Sequence, residues 1–303
     1  MNREMKTHKF MPRGIIPPVI TPLTPEGKFN EKGMRKLINH LIGGGVHGLF
    51  VTGTTGEFYG FTLEEKREIF LTAVDETKGR VPVYAGTNGI TTRESVMLTQ
   101  LAENCGVDAV SVLTPMFISP NQHQLFEHYK TIAASTALPV VLYNNPSKTG
   151  VSLTAATVAK LSEISNIVSI KDSSGDLTLT AEYIRLTRGN AAFNVLMGRD
   201  TLIYGALCYG AAGSIASCAN VAPRLCADIY DKFIAGDLQG SLDAQFTLAP
   251  LRIAFDIGTF PVVIKESLNM LGIEAGFCMD PVGPMTTDER ERLRKILVEM
   301  ALL

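Results

Sequence analysis

The stretch NIVSIKDSSG at residues 166–175 is a short apolar run that ends on a lysine. β-Branched residues dominate the run and a Ser-Ser-Gly turn closes it, which is typical of a buried strand. At the end of such a strand the side chain of Lys171 either reaches water or enters an apolar pocket. An apolar pocket disfavours the ammonium form and leaves a free amine, which is a nucleophile for a carbonyl carbon. A lysine that reaches solvent is the more common case, so this run predicts chemistry only together with other residues.

Two other predicted strand ends carry groups that suit the same chemistry. The turn GTTGE at 53–57 follows the apolar residues 48–51, and Gly53 and Gly56 allow its amides and hydroxyls to face one point. Such a turn suits a carboxylate. Tyr143 ends a further apolar run. An amine, a phenol and a carboxylate-binding turn are the parts needed to bind a 2-oxo acid, form an imine at C2 and move protons at C3.

Strand and helix patterns alternate along most of the chain, which predicts an α/β fold. Eight strand–helix units over this length favour a (β/α)₈ TIM barrel over an open doubly wound sheet. A dinucleotide-binding unit is not indicated, since no Gly-x-Gly-x-x-Gly follows the first strand. The predicted strands are 15–20, 48–51, 81–85, 109–113, 140–143, 167–170, 193–197 and 212–215.

No strand pattern recurs after the last barrel helix, predicted at 222–234. Three further helices are expected at 237–255, 260–271 and 288–300. The predicted organisation is therefore a barrel with a C-terminal three-helix extension. Its parts are a disordered N-terminal extension at 1–13, the barrel at 14–235 and a C-terminal helical region at 236–303.

The carboxyl ends of barrel strands meet at one rim, where the active sites of such barrels lie. Thr54 and Thr55 follow the second predicted strand and Tyr143 closes the fifth. Lys171 closes the sixth and Ile215 the eighth. This convergence favours Lys171 as a nucleophile over Lys171 as a solvent-reaching residue.

Composition limits the class of protein. A hydrophobic content of 46% with 19% charged residues is typical of a globular domain. A net charge of −2 does not indicate binding to nucleic acid. No apolar run is long enough to span a membrane. The five cysteines lack Cys-x-x-Cys spacing, which favours buried, reduced thiols in a cytoplasmic protein. No histidine spacing predicts a metal site.

Four segments in register carry a family resemblance: GTTGE at 53–57, YNNP at 143–146, SIKD at 169–172 and GSI at 213–215. From about Gly14 to the C-terminus, the chain resembles the Schiff-base aldolases that include dihydrodipicolinate synthase and N-acetylneuraminate lyase. The resemblance implies a homo-oligomer, a dimer or a tetramer, with contacts from the C-terminal helices. It also implies a small 2-oxo acid as substrate and no metal or organic cofactor.

The resemblance assigns a role to each matching residue. Lys171 forms the imine with the substrate's C2 carbonyl, and Tyr143 carries protons between the imine carbon and the departing oxygen. Thr54 and Thr55 hold the substrate carboxylate, while Ile215 offers a backbone carbonyl.

Two residues outside these roles could compete for them. Lys265 lies on a predicted helix beside an acidic neighbour, so a surface pair or a solvent-reaching side chain is expected. Glu57 could act as a general acid, but an acceptor for turn amides is the favoured interpretation.

Two departures from the family pattern bear on the substrate. Dihydrodipicolinate synthases carry a tyrosine where this chain has Phe117, and an arginine that grips a second carboxylate where it has Lys148. Phe58 resembles members that act on 2-keto-3-deoxy sugar acids. We therefore expect a class I lyase, an aldolase or dehydratase, acting on such a sugar acid or another pyruvate adduct. Alternatives are 4-hydroxy-tetrahydrodipicolinate synthase, condensing pyruvate with aspartate semialdehyde, and a non-catalytic 2-oxo acid binding or regulatory protein on the same barrel.

Overall fold

The structure, a computed structural model, describes residues 10–303 and contains one parallel sheet of eight strands. Their order is β1-β8-β7-β6-β5-β4-β3-β2. Hydrogen bonds from Phe50 N to Pro17 O (2.9 Å) and from Val19 N to Phe50 O (2.8 Å) join the two ends of this order. The strands are β1 Gly14–Ile15, β2 Leu49–Val51, β3 Val83–Gly86, β4 Ala109–Leu113, β5 Val140–Asn144, β6 Ile167–Asp172, β7 Asn194–Met197 and β8 Gly213–Ser214.

Helices alternate with these strands, so the α/β class is confirmed and the arrangement agrees with the predicted TIM barrel. The helices are α1 Glu31–Gly43, α2 Leu63–Thr77, α3 Thr92–Asn104, α4 Gln122–Ala134, α5 Pro146–Thr149, α6 Ala155–Leu161, α7 Leu177–Thr187, α8 Ile203–Tyr209, α9 Pro223–Ile234, α10 Leu238–Ala254, α11 Val262–Met270 and α12 Thr287–Glu299.

The first strand is shorter than the sequence predicts. The apolar pattern predicts a strand over 15–20, whereas β1 ends at Ile15 and only a single bridge from Pro18 to Phe50 continues the pairing. Pro17 and Pro18 lack the amide hydrogens that a regular ladder needs. The run is nevertheless buried, because its apolar side chains pack into the core.

A ring of side chains fills the interior of the sheet. Its buried members come from five of the strands and from the positions that directly follow β1 and β8. Phe10 packs against Tyr84 of this ring with ring centroids 5.6 Å apart, and Asn194 donates a hydrogen bond to Pro12 O (2.6 Å). Phe10 and Pro12 thus contact the barrel, residues 1–9 lie outside the described part of the chain, and the disordered extension at 1–13 stays a prediction. The interior residues are Ile16, Phe50, Tyr84, Ala109, Val141, Leu196 and Ile215.

The three C-terminal helices α10, α11 and α12 lie where the sequence predicts helices. Thr286 caps α12, and its hydroxyl and amide pair with Glu289 in a capping box. α10 packs against α9 and α12 packs against α11. Where the barrel ends and a separate C-terminal region begins stays a prediction.

A buried ion pair joins α11 to the turn after β2. Lys265 Nζ lies 2.5 Å from Glu57 Oε2, and the two side chains are 1% and 0% exposed. Lys265 also donates to Phe277 O, and Glu57 Oε1 accepts the amide of Met279 at 2.7 Å. The prediction of a surface position for Lys265 is therefore wrong. Its acidic partner comes from a distant turn, which a helix pattern in one sequence cannot reveal.

Loss of this pair should cost much more than loss of an exposed pair. We expect Lys265→Met to lower the free energy of unfolding by about 3–5 kcal/mol, because it removes the cation that faces the buried carboxylate of Glu57. The matched control is Lys130→Met, which removes an exposed pair with Glu127 and should cost less than about 1 kcal/mol. Urea denaturation of both variants measures the difference. Equal losses would contradict this account, and Glu57→Gln added to Lys265→Met should restore part of the stability.

Candidate active site

The strand register brings the predicted amine and phenol together. Tyr143 of β5 is paired with Lys171 of β6, so both side chains project at the same height. They are 2% and 3% exposed. Lys171 Nζ lies 3.9 Å from the centre of the Tyr143 ring and 5.3 Å from the centre of the Phe50 ring. The amine therefore sits among aromatic faces, which attract its charged form, at the carboxyl end of the sheet.

The residue after the lysine fixes the end of β6. Asp172 is buried and accepts hydrogen bonds from Asn144 Nδ2 (3.0 Å) and from the amide of Ser174 (3.0 Å). It also accepts from the hydroxyls of Ser174 and Thr180. Because side chains alternate along a strand, Asp172 faces away from the interior that Lys171 enters. It ties β5, β6 and the following turn together and so holds the lysine in place.

Charge and hydrogen bonds tune the phenol. The hydroxyl of Tyr143 accepts a hydrogen bond from Asn145 Nδ2 (3.0 Å) and lies 3.4 Å from Thr54 Oγ1. Burial by itself raises the pKa of Tyr143, but the positive charge of Lys171 and hydrogen bonds with Thr54, Lys171 and Ser173 bring its pKa below the usual value. A phenol of lowered pKa exchanges protons more readily near neutral pH.

The turn after β2 is held in a strained conformation. Thr52 and Glu57 are non-glycine residues with positive φ (51° and 55°). A Cβ on Gly53 would come within 2.8 Å of the Phe50 ring, so the close approach requires glycine. Thr55 Oγ1 lies 3.2 Å from Ser217 Oγ. Glu57 is therefore a structural acceptor as favoured from the sequence, although its partners are Lys265 and the Met279 amide rather than turn amides.

A cavity of about 290 Å³ opens above the amine and the phenol. Five of the residues predicted for the site line it, at the carboxyl ends of β2, β5 and β6. The amine, the phenol and the threonine hydroxyls therefore border the same cavity. The five predicted residues are Thr54, Thr55, Tyr143, Lys148 and Lys171.

Three predicted residues lie outside this lining. Phe117 is 92% exposed, because the loop after β4 adopts a left-handed conformation there (φ 72°) and turns the ring to solvent. Phe117 therefore does not line the cavity within the single chain, and its role in substrate binding stays a prediction. Gly53 lies behind the threonines, against Phe50. Ile215 packs in the interior ring, and the role of its carbonyl stays a prediction.

Sequence reasoning missed several residues that line the cavity. Asn145 and Ser173 lie two residues after the predicted site residues Tyr143 and Lys171, so a search of the next two positions finds them. The helix α10 and the turn after it gave no such signal, because they adjoin the cavity only through packing. The missed lining residues are Asn145, Ser147, Ser173, Gly198, Arg199, Asp200, Ser217, Arg252, Phe255, Asp256 and Phe260.

Cations outnumber anions on the outer wall of the cavity. Lys148, Arg199 and Arg252 face two acidic residues, Asp200 and Asp256. Asp200 is buried, and burial raises the pKa of its carboxyl, partly offset by the Cys218 amide and the charge of Arg252. Asp256 is 82% exposed and screened by water. The wall therefore favours an anionic group.

The described residues give little support for metal or membrane sites. Across residues 10–303 no three histidine, cysteine or acidic side chains are grouped to hold a metal ion. The five cysteines are free thiols, and Cys208 is exposed, contrary to the expectation that all are buried. No single helix over these residues is long and apolar enough to cross a membrane. Over the same residues, one bent pair reaches that length and composition when its two parts are taken together: 238–257 and α11, with 117° between them.

A buried amine and phenol above a parallel sheet, with a hydroxyl-rich turn beside them, define a class I Schiff-base lyase. The model of the dihydrodipicolinate synthetase family matches residues 11–300. The chain belongs to this family.

Similar proteins cover nearly the whole chain. The 4-hydroxy-tetrahydrodipicolinate synthases of Methanothrix thermoacetophila and Methanopyrus kandleri are 39% and 37% identical to it. These matches cover 95% and 97% of this chain, and 97% and 98% of the relatives. The dihydrodipicolinate synthase structure from Thermotoga maritima has a TM-score of 0.94 at 30% identity, covering 97% of this chain and all of that one. YagE of E. coli, a prophage protein of the family in complex with pyruvate, has a TM-score of 0.93 at 32% identity, covering 96% and 99%.

Removal of the lysine charge should reverse the pKa shift of Tyr143. In Lys171→Ala we expect the pKa of Tyr143 to rise above its usual value, because burial then acts without the opposing charge. Ultraviolet difference titration against Tyr143→Phe variants isolates this phenol from the other tyrosines. Lys148→Ala, which alters the same cavity but not the phenol's neighbours, is the control. An unchanged Tyr143 titration in Lys171→Ala would show that the amine does not set the pKa.

Proposed function

We propose that this chain joins pyruvate to an aldehyde through an imine on Lys171, and that the aldehyde is aspartate semialdehyde. The product would be 4-hydroxy-tetrahydrodipicolinate. The observation that carries the proposal is the pairing of Lys171 with Tyr143 at the base of a cavity whose outer wall is cationic. The relatives, which match over 97% and 98% of their length and bear the name of this synthase, support the same choice over cleavage of a sugar acid.

The residues in the cavity supply each step. The amine of Lys171 attacks the C2 carbonyl of pyruvate, and the carbonyl oxygen leaves as water. The protonated imine then makes loss of a C3 proton favourable and gives an enamine. C3 of the enamine bonds to the aldehyde carbon, whose oxygen takes up a proton through the Tyr143 hydroxyl. The amino group of the adduct displaces Lys171 at C2, which closes the ring and frees the enzyme.

The turn after β2 would hold the pyruvate carboxylate. Thr54 and Thr55 line the cavity, and Thr54 lies 3.4 Å from the Tyr143 hydroxyl. A carboxylate bound there would direct C2 of pyruvate towards the nearby amine. The hydrogen bond between Thr55 and Ser217 would fix one of the two hydroxyls.

Aspartate semialdehyde carries a second carboxylate, which suits the outer wall of the cavity. Three cations line this wall, namely Lys148, Arg199 and Arg252. Only one of the acidic residues of the wall, Asp200, is buried. An aldehyde derived from a neutral sugar chain would offer these three cations no anionic group of its own. The charge of the wall therefore favours a reactant with two anionic ends.

One observation favours a second candidate, the cleavage of 2-keto-3-deoxy sugar acids. Lys148 stands where the resemblance leads one to expect an arginine, and hydroxyl groups of Ser147, Ser173 and Ser217 line the cavity. These groups could hydrogen-bond the hydroxyls of a sugar chain. The non-catalytic alternative has no such support, because the chain belongs to a family of lyases.

Other expectations from the sequence stay predictions. They are the cytoplasmic location, the assembly into a dimer or tetramer, the lack of a metal or organic cofactor and the three-helix C-terminal region at 236–303. The exposed Phe117 would be covered only in an oligomer.

A direct competition distinguishes the two candidate reactions. We expect kcat/KM for condensation of pyruvate with aspartate semialdehyde to exceed that for cleavage of 2-keto-3-deoxygluconate by at least about tenfold, since only the first matches the charge of the wall. Coupled assays of semialdehyde consumption and pyruvate release measure the two. Lys171→Ala should abolish both activities and serves as the blank. Faster sugar-acid cleavage would overturn the proposal in favour of the second candidate.

A further inference from the structure

The imine chemistry uses none of the three cations on the outer wall, and one of them, Arg252, is held in an unusual way. Arg252 lies on α10, outside the eight strand–helix units, and its side chain is 23% exposed. It lines the same cavity as Lys171. No step on the lysine or the phenol uses a guanidinium at this position, yet contacts from α10 hold it there.

α10 is fastened to the loop after β7, and this places Arg252. Gln245 Nε2 donates to Asp200 O (2.9 Å) and its Oε1 accepts the amide of Tyr204 (3.0 Å). Arg252 lies two helical turns after Gln245, which puts both residues on the same face of α10. The guanidinium is therefore aimed at the cavity by a hydrogen-bonded helix rather than by a loop.

Nearby acids orient Arg252 without using its hydrogen bonds. Its Nε lies 3.9 Å from Asp200 Oδ2, and its Nη1 lies 3.7 Å from Asp256 Oδ1. Its guanidinium carbon lies 5.5 Å from the centre of the Phe255 ring. Within residues 10–303 these separations exceed hydrogen-bond length, so the donors of the planar fork stay available to a ligand.

The other two cations are placed less firmly. Lys148 is exposed, and its Nζ lies 6.0 Å from the centre of the Phe260 ring. A lysine is a mobile point charge, whereas a guanidinium binds a carboxylate through two parallel hydrogen bonds. Arg199 is half-buried in the loop after β7 and forms no ion pair within the described part of the chain. Arg252 is thus the cation best prepared to recognise a carboxylate.

We propose that Arg252 binds the second carboxylate of the aldehyde reactant and sets the preference for aldehydes that carry one. This inference rests on the proposed function and names the residue that selects its second substrate. Asp200, whose Oδ1 accepts the Cys218 amide at 2.7 Å, acts as a positioning residue for the guanidinium. The bound carboxylate displaces the exposed side chain of Asp256 from its position beside Arg252.

The test compares two aldehydes on one set of variants. The variants are Arg252→Gln, Arg252→Lys, Lys148→Gln and the control Arg185→Gln, which removes an exposed ion pair with Glu182 far from the cavity. For each, kcat/KM is measured for pyruvate with aspartate semialdehyde and with propanal, which lacks a carboxylate. Exchange of the pyruvate C3 protons with D₂O reports imine and enamine formation without any aldehyde.

Arg252→Gln should lower kcat/KM for aspartate semialdehyde by about 10²-fold and change that for propanal by less than about threefold. C3 exchange should stay within about twofold of wild type. Arg252→Lys should recover part of the loss, because it keeps the charge but not the fork. Lys148→Gln should cost less than Arg252→Gln, and Arg185→Gln should match wild type.

Three results would overturn the inference. Equal losses with both aldehydes would show that Arg252 only supports the fold. A larger loss for Lys148→Gln would place the carboxylate at α5. In both cases condensation by the wild type would leave the proposed function standing. Wild-type enzyme that neither exchanges C3 protons nor condenses with either aldehyde would remove the proposed function, and this inference with it.

Discussion

The candidate site depends on the register between β5 and β6, because that register sets Tyr143 beside Lys171. In a parallel sheet a slip of one residue would turn either side chain to the other face. The register is held by Asp172, which accepts a hydrogen bond from Asn144 of the neighbouring strand. A structural carboxylate directly after the lysine thus fixes the distance on which the lowered pKa of Tyr143 depends.

A second constraint links the site to the C-terminal helices. The buried pair of Glu57 and Lys265 fastens α11 to the turn that would hold the substrate carboxylate. Gln245 fastens α10 to the loop after β7 in the same way. Buried polar contacts of this kind cost desolvation but define one arrangement when every partner is satisfied. In this chain they connect the imine-forming centre to the wall that meets the second reactant.

Much of the fold and the base of the site follow from the sequence, since both rest on local patterns. Short continuous apolar runs locate the strands, and polar residues at their carboxyl ends converge because the strands are parallel, as Lys171 and Tyr143 show. The length of β1 was predicted wrongly because its prolines pack without a ladder. Lys265 and Arg252 could not be placed, since their surroundings come from turns far away in the chain. The backbone angle that turns Phe117 outward likewise leaves no sequence signal.

The central claim is that Lys171 forms the imine, and chemical trapping tests it most directly. The protein is incubated with pyruvate, reduced with borohydride, digested and analysed by mass spectrometry. We predict one pyruvate-derived adduct per chain, on the peptide that contains Lys171, because this amine alone among the cavity's lysines is buried beside a phenol. An adduct on Lys148 or Lys265, or no adduct at all, would contradict the account.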